Sequence, residues 1–139
     1  MSRSKTEWTG YDKAVVKDVC YNCDSPVSKR SASYIDFQYH RIPQEKILTE
    51  CFGKAAFYFA TLGTGHGRLI EIAVRREYKG RGMGRKVLMR LLSRLKAKGI
   101  YRLTFRTPIA EPAQDFWVHM GARIVGLKDD DYVMELNFK

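Results

Sequence analysis

VRREYKGRGMGRKVLMRLLSRL, residues 74–95, runs three kinds of structure together. It starts at the end of an apolar run, LIEIAV, from Leu69 to Val74. It turns through Gly80, Gly82 and Gly84, then continues with Val87, Leu88, Leu91, Leu92 and Leu95. That spacing puts five apolar side chains on one stripe of a helix. A strand, a glycine loop and a helix in this order aim backbone N–H groups and the positive helix end at one point, where a phosphate fits. A backbone curled around a phosphate needs positive φ and no Cβ in the way, which glycine supplies. Lys79, Arg81, Arg85 and Lys86 add positive charge around the same point. Arg85 and Lys86 sit in the first helical turn, where the dipole opposes them unless an anion lies there.

Two common phosphate loops do not fit. A Walker loop ends in Gly-Lys-Ser/Thr, whereas Gly84 precedes Arg85 and Lys86. A dinucleotide loop is Gly-x-Gly-x-x-Gly with an acidic residue about 20 positions on, but here the glycines alternate and a basic stretch follows. The loop instead resembles the pyrophosphate loop of the GNAT acyltransferases, Gln/Arg-x-x-Gly-x-Gly/Ala placed five residues after a strand-ending Val. Counting from Val74 gives Lys79, Gly80, Arg81, Gly82, Met83 and Gly84, with Lys79 keeping the donor and charge of Gln/Arg.

The order strand, loop, helix, strand, helix, strand, strand over Leu69–Lys139 also resembles that family. Its penultimate helix reads Asn-x-x-Ala-x-x-x-Tyr-x-x-x-Gly-Phe. Aligned on Gly121, this chain has Ala110, Ala113, Trp117 and Ala122, so Ala and Gly match while Asn, Tyr and Phe do not. The family tyrosine often acts as general acid. Trp117 cannot, since an indole N–H donates a hydrogen bond but releases no proton at useful pH.

The resemblance implies a single α/β (α+β) domain over residues 1–139. A mixed central sheet would be flanked by helices; the N-terminal half departs from the family in reading one strand short, and the polar residues 1–10 read as loose. It implies acetyl-CoA as co-substrate and no metal. The pyrophosphate would lie on Lys79, Gly80, Arg81, Gly82, Met83, Gly84 and Arg85. The pantetheine arm would run along Ile72, Ala73 and Val74, with Trp117 on the helix beside the coenzyme. The reaction implied is N-acetyl transfer by direct attack of an amine on the thioester, which needs a base for the amine and donors for the oxyanion. Glu71 is the only carboxylate on the strand before the loop and is the first base candidate; a one-residue register change would turn it away. His119 is the second candidate. Tyr101, His66 and Tyr132 are lesser candidates for an acid.

The net charge of +10 is unevenly placed. Residues 68–106 hold 13 Lys/Arg against Glu71 and Glu77, and the remainder is slightly acidic. A polyanion would explain this. A nucleic-acid-modifying or nucleic-acid-binding protein is therefore the alternative function, acting through residues 68–106. The acceptor amine stays open among small molecule, protein amine and nucleobase.

At 139 residues the chain holds one core. No apolar run approaches the ~18 residues of a membrane span. MSRSKTEW has no apolar stretch behind its charges, so a secretory signal is not expected. Three cysteines argue against a disulfide framework and favour a reducing, cytoplasmic setting. Cys20-x-x-Cys23 with Cys51 and His40 matches no standard zinc spacing.

Among the remaining elements, Lys13–Cys20 fits a strand or a helical turn, and Ser28–Ile42 fits both periods. Pro43–Phe52 reads as a short helix, with proline early and Gly53 as stop. Asp24–Val27 reads as a turn. Ala55–Leu62 and Leu69–Val74 read as a hairpin, Ile100–Arg106 as a strand, Glu111–Met120 as a helix, and Ala122–Leu127 with Tyr132–Phe138 as the final strands.

Overall fold

Among the described residues, apolar stripes on four helices and six strands have to be covered, and the chain does so in three layers with the sheet in the middle. The computed structural model describes residues 10–24, 28–109 and 113–138. The loose N-terminal start, the Asp24–Val27 turn beyond Asp24, and Ala110 to Pro112 lie outside the described residues.

Helix α1, Lys13–Tyr21, is capped by Asp12, whose carboxylate accepts from the N–H groups of Ala14 and Val15. Helix α2, Ser28–Arg41, follows. The strands are β1 Ile47–Phe52, β2 Ala56–Gly63, β3 His66–Val74, β4 Arg102–Pro108, β5 Arg123–Lys128 and β6 Asp131–Asn137. Helix α3, Met83–Ala97, connects β3 to β4, and helix α4, Ala113–His119, connects β4 to β5. The sheet order is β1-β2-β3-β4-β6-β5. All neighbours are antiparallel except β3 and β4. That parallel pair needs a crossover, and α3 supplies it.

The stripe read from the sequence faces the sheet: Val87, Leu88, Leu91, Leu92 and Leu95 are all buried. They meet Leu48, Tyr58, Ala60, Leu69, Leu103 and Phe105, and Trp117 closes the same cluster. The opposite face of the first three strands holds a second cluster, with Phe57, Phe59, Cys51 and Ala73 under Val16, Val19, Cys20 and Ile35. This second cluster stops at β3. Beyond it the same face carries Arg102, Thr104 and Arg106, placed by strand alternation opposite Leu103 and Phe105.

Both open N-terminal segments are helices. In α2, Ile35 is buried, Ala32, Tyr39 and Ile42 pack beside it at helical spacing, and Phe37 is 58% exposed, so the apparent alternation of Ile35, Phe37 and Tyr39 is incidental. Pro43–Phe52 corrects the helix expectation. Only Gln44–Lys46 forms a 3-10 turn, and Ile47–Phe52 is a strand. All six residues of β1 are buried because one cluster covers each of its faces, so it shows no alternation to read.

Glu50 lies in this sheet at 2% exposure. It accepts from the Tyr58 hydroxyl at 2.5 Å, from Arg90 Nε at 2.9 and 3.0 Å, and from Arg94 Nη1 at 3.2 Å. Two basic residues of α3 thus reach over its edge to a buried carboxylate on β1. No helix among the described residues is long and apolar enough to cross a membrane.

Candidate active site

The site begins where β3 and β4 part. Their parallel ladder holds only Gly67 with Leu103 and Arg68 with Thr104. From Glu71 to Val74, β3 pairs with β2 but not with β4. The edge of β3 facing β4 is therefore open over the segment where the sequence expects an extended partner. The register of β2 and β3 shifts at Phe59/Ala60, opposite Glu71 and Leu69, which leaves Ile70 as the extra residue of a bulge. The bulge decides the faces. Leu69, Ile72 and Val74 pack with the α3 layer, whereas Ile70 and Ala73 pack with the α1/α2 layer. Glu71, opposite Phe59 and between Ile72 and the bulge, belongs to the α1/α2 face, where it lies close enough to Cys20 to act on its thiol electrostatically.

At the end of β3 the chain is pinned to α1. Arg76 donates its N–H to the carbonyl of Asn22 at 2.7 Å and its guanidinium to the carbonyl of Cys23, and Arg75 bridges Asp18 and Glu77. After the 3-10 turn Arg76–Tyr78 comes the glycine loop. Gly80 has φ +77° and Gly82 φ +75°, and a Cβ at either would have nothing within 4 Å. Both need glycine for the left-handed backbone, and both border open space. Gly82 is the N-cap of α3, with no side-chain cap and no acidic residue in the first turn. The first N–H bonded back into the helix is that of Lys86, to the carbonyl of Gly82. The N–H groups of Met83, Gly84 and Arg85 are left at the positive end of a 15-residue helix. Gly84 is inside the helix, with the Phe116 ring 3.7 Å from where its Cβ would be.

The cations around the loop divide. Arg81 lies over the Tyr78 ring, and Arg85 reaches Met120 Sδ. Lys79 instead pairs with Asp24 at 3.0 Å, and Arg76 shares the same carboxylate. Lys79, first with its hydrogen bond, and Arg76 hold that carboxyl below the usual range. Across residues 68–106, Arg75, Arg76, Lys79, Arg90, Arg94, Arg102 and Arg106 all have carboxylate partners. The basic excess is compensated in place to a large degree, and nothing in its layout favours a polyanion over a smaller ligand.

These features meet a known pattern. The acetyltransferase (GNAT) family matches residues 21–122. The chain belongs to that family. Its fold is shared with the ribosomal-protein-S18-alanine N-acetyltransferase from Escherichia coli, at 19% identity and TM-score 0.74 over 94% of this chain and 91% of that one. It is shared with an acetyltransferase from Streptococcus agalactiae, at 15% identity and TM-score 0.76 over 94% and 96%. It is shared too with the PaiA N-acetyltransferase from Thermoplasma acidophilum solved in complex with coenzyme A, at 14% identity and TM-score 0.69 over 91% and 90%. No curated protein sequence matches with significance.

The GNAT frame locates the other candidates. Trp117 is 5% exposed and packed on Phe105 with ring centroids 4.1 Å apart, so it is a core residue of α4 beneath the β4 side of the opening. His119 ends α4, exposed, in the layer opposite the face that carries Glu71. The structure does not bring the two together. His66 and Tyr101 stand at the starts of β3 and β4, the end away from the opening. Tyr132 pairs with Thr107 at the diverging end and packs against the α3 cluster. Cys20, Cys23 and Cys51 are buried, and none of the three forms a disulfide. Burial pushes the Cys20 thiol well up, with Glu71 adding to it, and raises Cys51 as well. Among the described residues no group of three or more His, Cys, Asp or Glu is placed to hold a metal.

What sequence reading missed is a cleft of about 390 Å³ on the α1/α2 side of the opening. Ser31 and Tyr34 of α2, Arg68 to Ile70 of β3, Arg106 of β4 and Asp131 of β6 line it. Its residues come from four elements, so no local motif announces it.

Proposed function

We propose that this GNAT enzyme transfers the acetyl group of acetyl-CoA to an amine by direct attack, with the coenzyme on the α3 side of the β3/β4 opening. The observation that carries the reading is the juxtaposition of the open β3 edge with the left-handed glycines and the uncapped start of α3. The N–H groups of Gly80 to Arg85 would hold the pyrophosphate, helped by Arg81 and Arg85. Lys79, paired with Asp24, would contribute from a distance or by exchanging partners. The backbone of Ile72, Ala73 and Val74 would take the pantetheine amides as an added strand and donate to the developing oxyanion. Trp117 would wall the opening from the core.

Glu71 is the base in this reading. On the α1/α2 face it can receive a proton from an amine entering on that side, directly or through water. The C–N bond forms, the C–S bond breaks, and the thiolate leaves with a proton from solvent or from Tyr132. Cys20 and Cys51 support direct transfer over an acyl-enzyme: thiols that burial pushes up in pKa are poor nucleophiles. His119, exposed and in the other layer, has no role in this arrangement.

Glu71→Gln is expected to slow turnover about 10²-fold or more, within the range of lost general-base catalysis, while coenzyme affinity stays unchanged. The single-turnover rate and a calorimetric Kd separate the two effects. An equal rate removes Glu71 from the mechanism.

A further inference from the structure

In the acetyl-transfer reading the acceptor approaches Glu71 from the α1/α2 face, and the cleft lined by Tyr34, Arg68, Arg106 and Asp131 opens on that face. Its volume of about 390 Å³ suits a small molecule. The charges within it are uneven. Arg106 is engaged, with Asp131 at 2.8 Å and Asp129 at 3.4 Å. Arg102 and Arg123, farther along the same face, both bind Glu135 and hold that carboxyl down to about 2, Arg123 with the largest effect and Asn137 assisting. Arg68 is different: it is exposed at the cleft and has no carboxylate partner among the described residues. The other basic residues of 68–106 without such a partner, Arg81, Arg85, Lys86, Lys96 and Lys98, belong to the glycine loop, α3 and its end. Strand alternation puts Arg68 opposite Thr61 and on the α1/α2 face, away from them. Its charge is therefore held apart from the coenzyme loop.

Arg68 and Glu71 share that face of β3, three residues apart, which is about 10 Å along a strand and less across a bulge. A long guanidinium side chain and a carboxylate so spaced can bracket a small molecule that carries an anionic group near an amine. Building on the acetyl-transfer reading, we propose that the acceptor is a free α-amino acid, its carboxylate on Arg68 with the Tyr34 hydroxyl nearby and its amine toward Glu71. A guanidinium takes a carboxylate by two parallel hydrogen bonds, which fixes the orientation as well as the charge.

The test follows thiol release from acetyl-CoA with each of the twenty L-amino acids as acceptor. Those with a free α-amine are compared with their decarboxylated counterparts, such as tyrosine with tyramine and phenylalanine with phenethylamine. At least one amino acid is expected to exceed its decarboxylated amine tenfold or more in kcat/KM. Arg68→Gln is expected to erase that preference through KM, with kcat little changed and Arg68→Lys restoring part of it. Calorimetry with acetyl-CoA alone runs beside it on both variants. If the protein binds acetyl-CoA but acetylates no amino acid, or prefers the decarboxylated amines or peptide N-termini, the inference fails while the coenzyme reading stands. If Arg68→Gln keeps the preference, Arg68 is not the anchor and the inference fails. If acetyl-CoA does not bind, the acetyl-transfer reading falls first and takes this inference with it.

Discussion

Gly82→Trp is expected to lower acetyl-CoA affinity at least hundredfold while the domain stays folded. Gly82 holds φ +75° at the N-cap of α3 and has open space where a Cβ would go, so the indole has room in the protein itself. The fold loses only the left-handed penalty of a non-glycine residue, about 1–2 kcal/mol. The indole would stand over the N–H groups of the first helical turn, where the pyrophosphate is proposed to lie. Gly82→Ala separates the two effects. It carries the same backbone penalty with only a methyl group, and affinity is expected to remain within about tenfold of the parent. Circular dichroism with a calorimetric titration reads both quantities. Unchanged affinity in the tryptophan variant would remove the loop from coenzyme binding.

Glu50→Ala has the largest expected effect on stability. The carboxylate is 2% exposed and gathers the Tyr58 hydroxyl, Arg90 and Arg94. Tyr58 is fully buried, and burial together with its bond to Glu50 pushes its phenol far up, so it remains a neutral donor. Arg94 also donates to the Tyr58 hydroxyl at 2.7 Å and to the Thr49 carbonyl. Without Glu50, Arg90 can turn to solvent from its half-exposed position, but Arg94 and the phenol lose their shared acceptor. Leaving the buried phenol without its acceptor costs about 1–3 kcal/mol. Lys96→Ala, at the exposed end of the same helix, is expected within about 0.5 kcal/mol of the parent. Urea unfolding of the three proteins measures this. A loss below about 1 kcal/mol in Glu50→Ala would mean that the pair is not what ties α3 to β1 and β2.

That cluster also shows where sequence reading stops. Arg90 and Arg94 follow the helical period and look like a solvated basic face. Their partner, Glu50, is about 40 residues earlier, in a segment whose proline, early acid and trailing glycine imitate a helix. The strand signal is absent from β1 because both of its faces are covered. The glycine loop was legible because its chemistry is local: strand, turn and helix adjoin in the chain, and the positive φ values fall on Gly80 and Gly82. The last hairpin was legible because Tyr132, Met134, Leu136 and Phe138 fall at every second position and all join the α3 cluster. The face of Glu71 was not legible. It depends on the bulge at Ile70, which comes from pairing with β2 and leaves no mark in the residues themselves. The cleft on the α1/α2 side was hidden for a related reason, since Tyr34, Arg68, Arg106 and Asp131 meet only after the sheet has formed.

Calorimetric titration of the unmodified protein with acetyl-CoA tests the central claim most directly. A saturable heat at a stoichiometry of about one per chain, weakened by Gly82→Trp, is what a pyrophosphate loop opening onto a split sheet predicts. No binding at millimolar acetyl-CoA would contradict it, because the open β3 edge and the start of α3 would then have no coenzyme to hold.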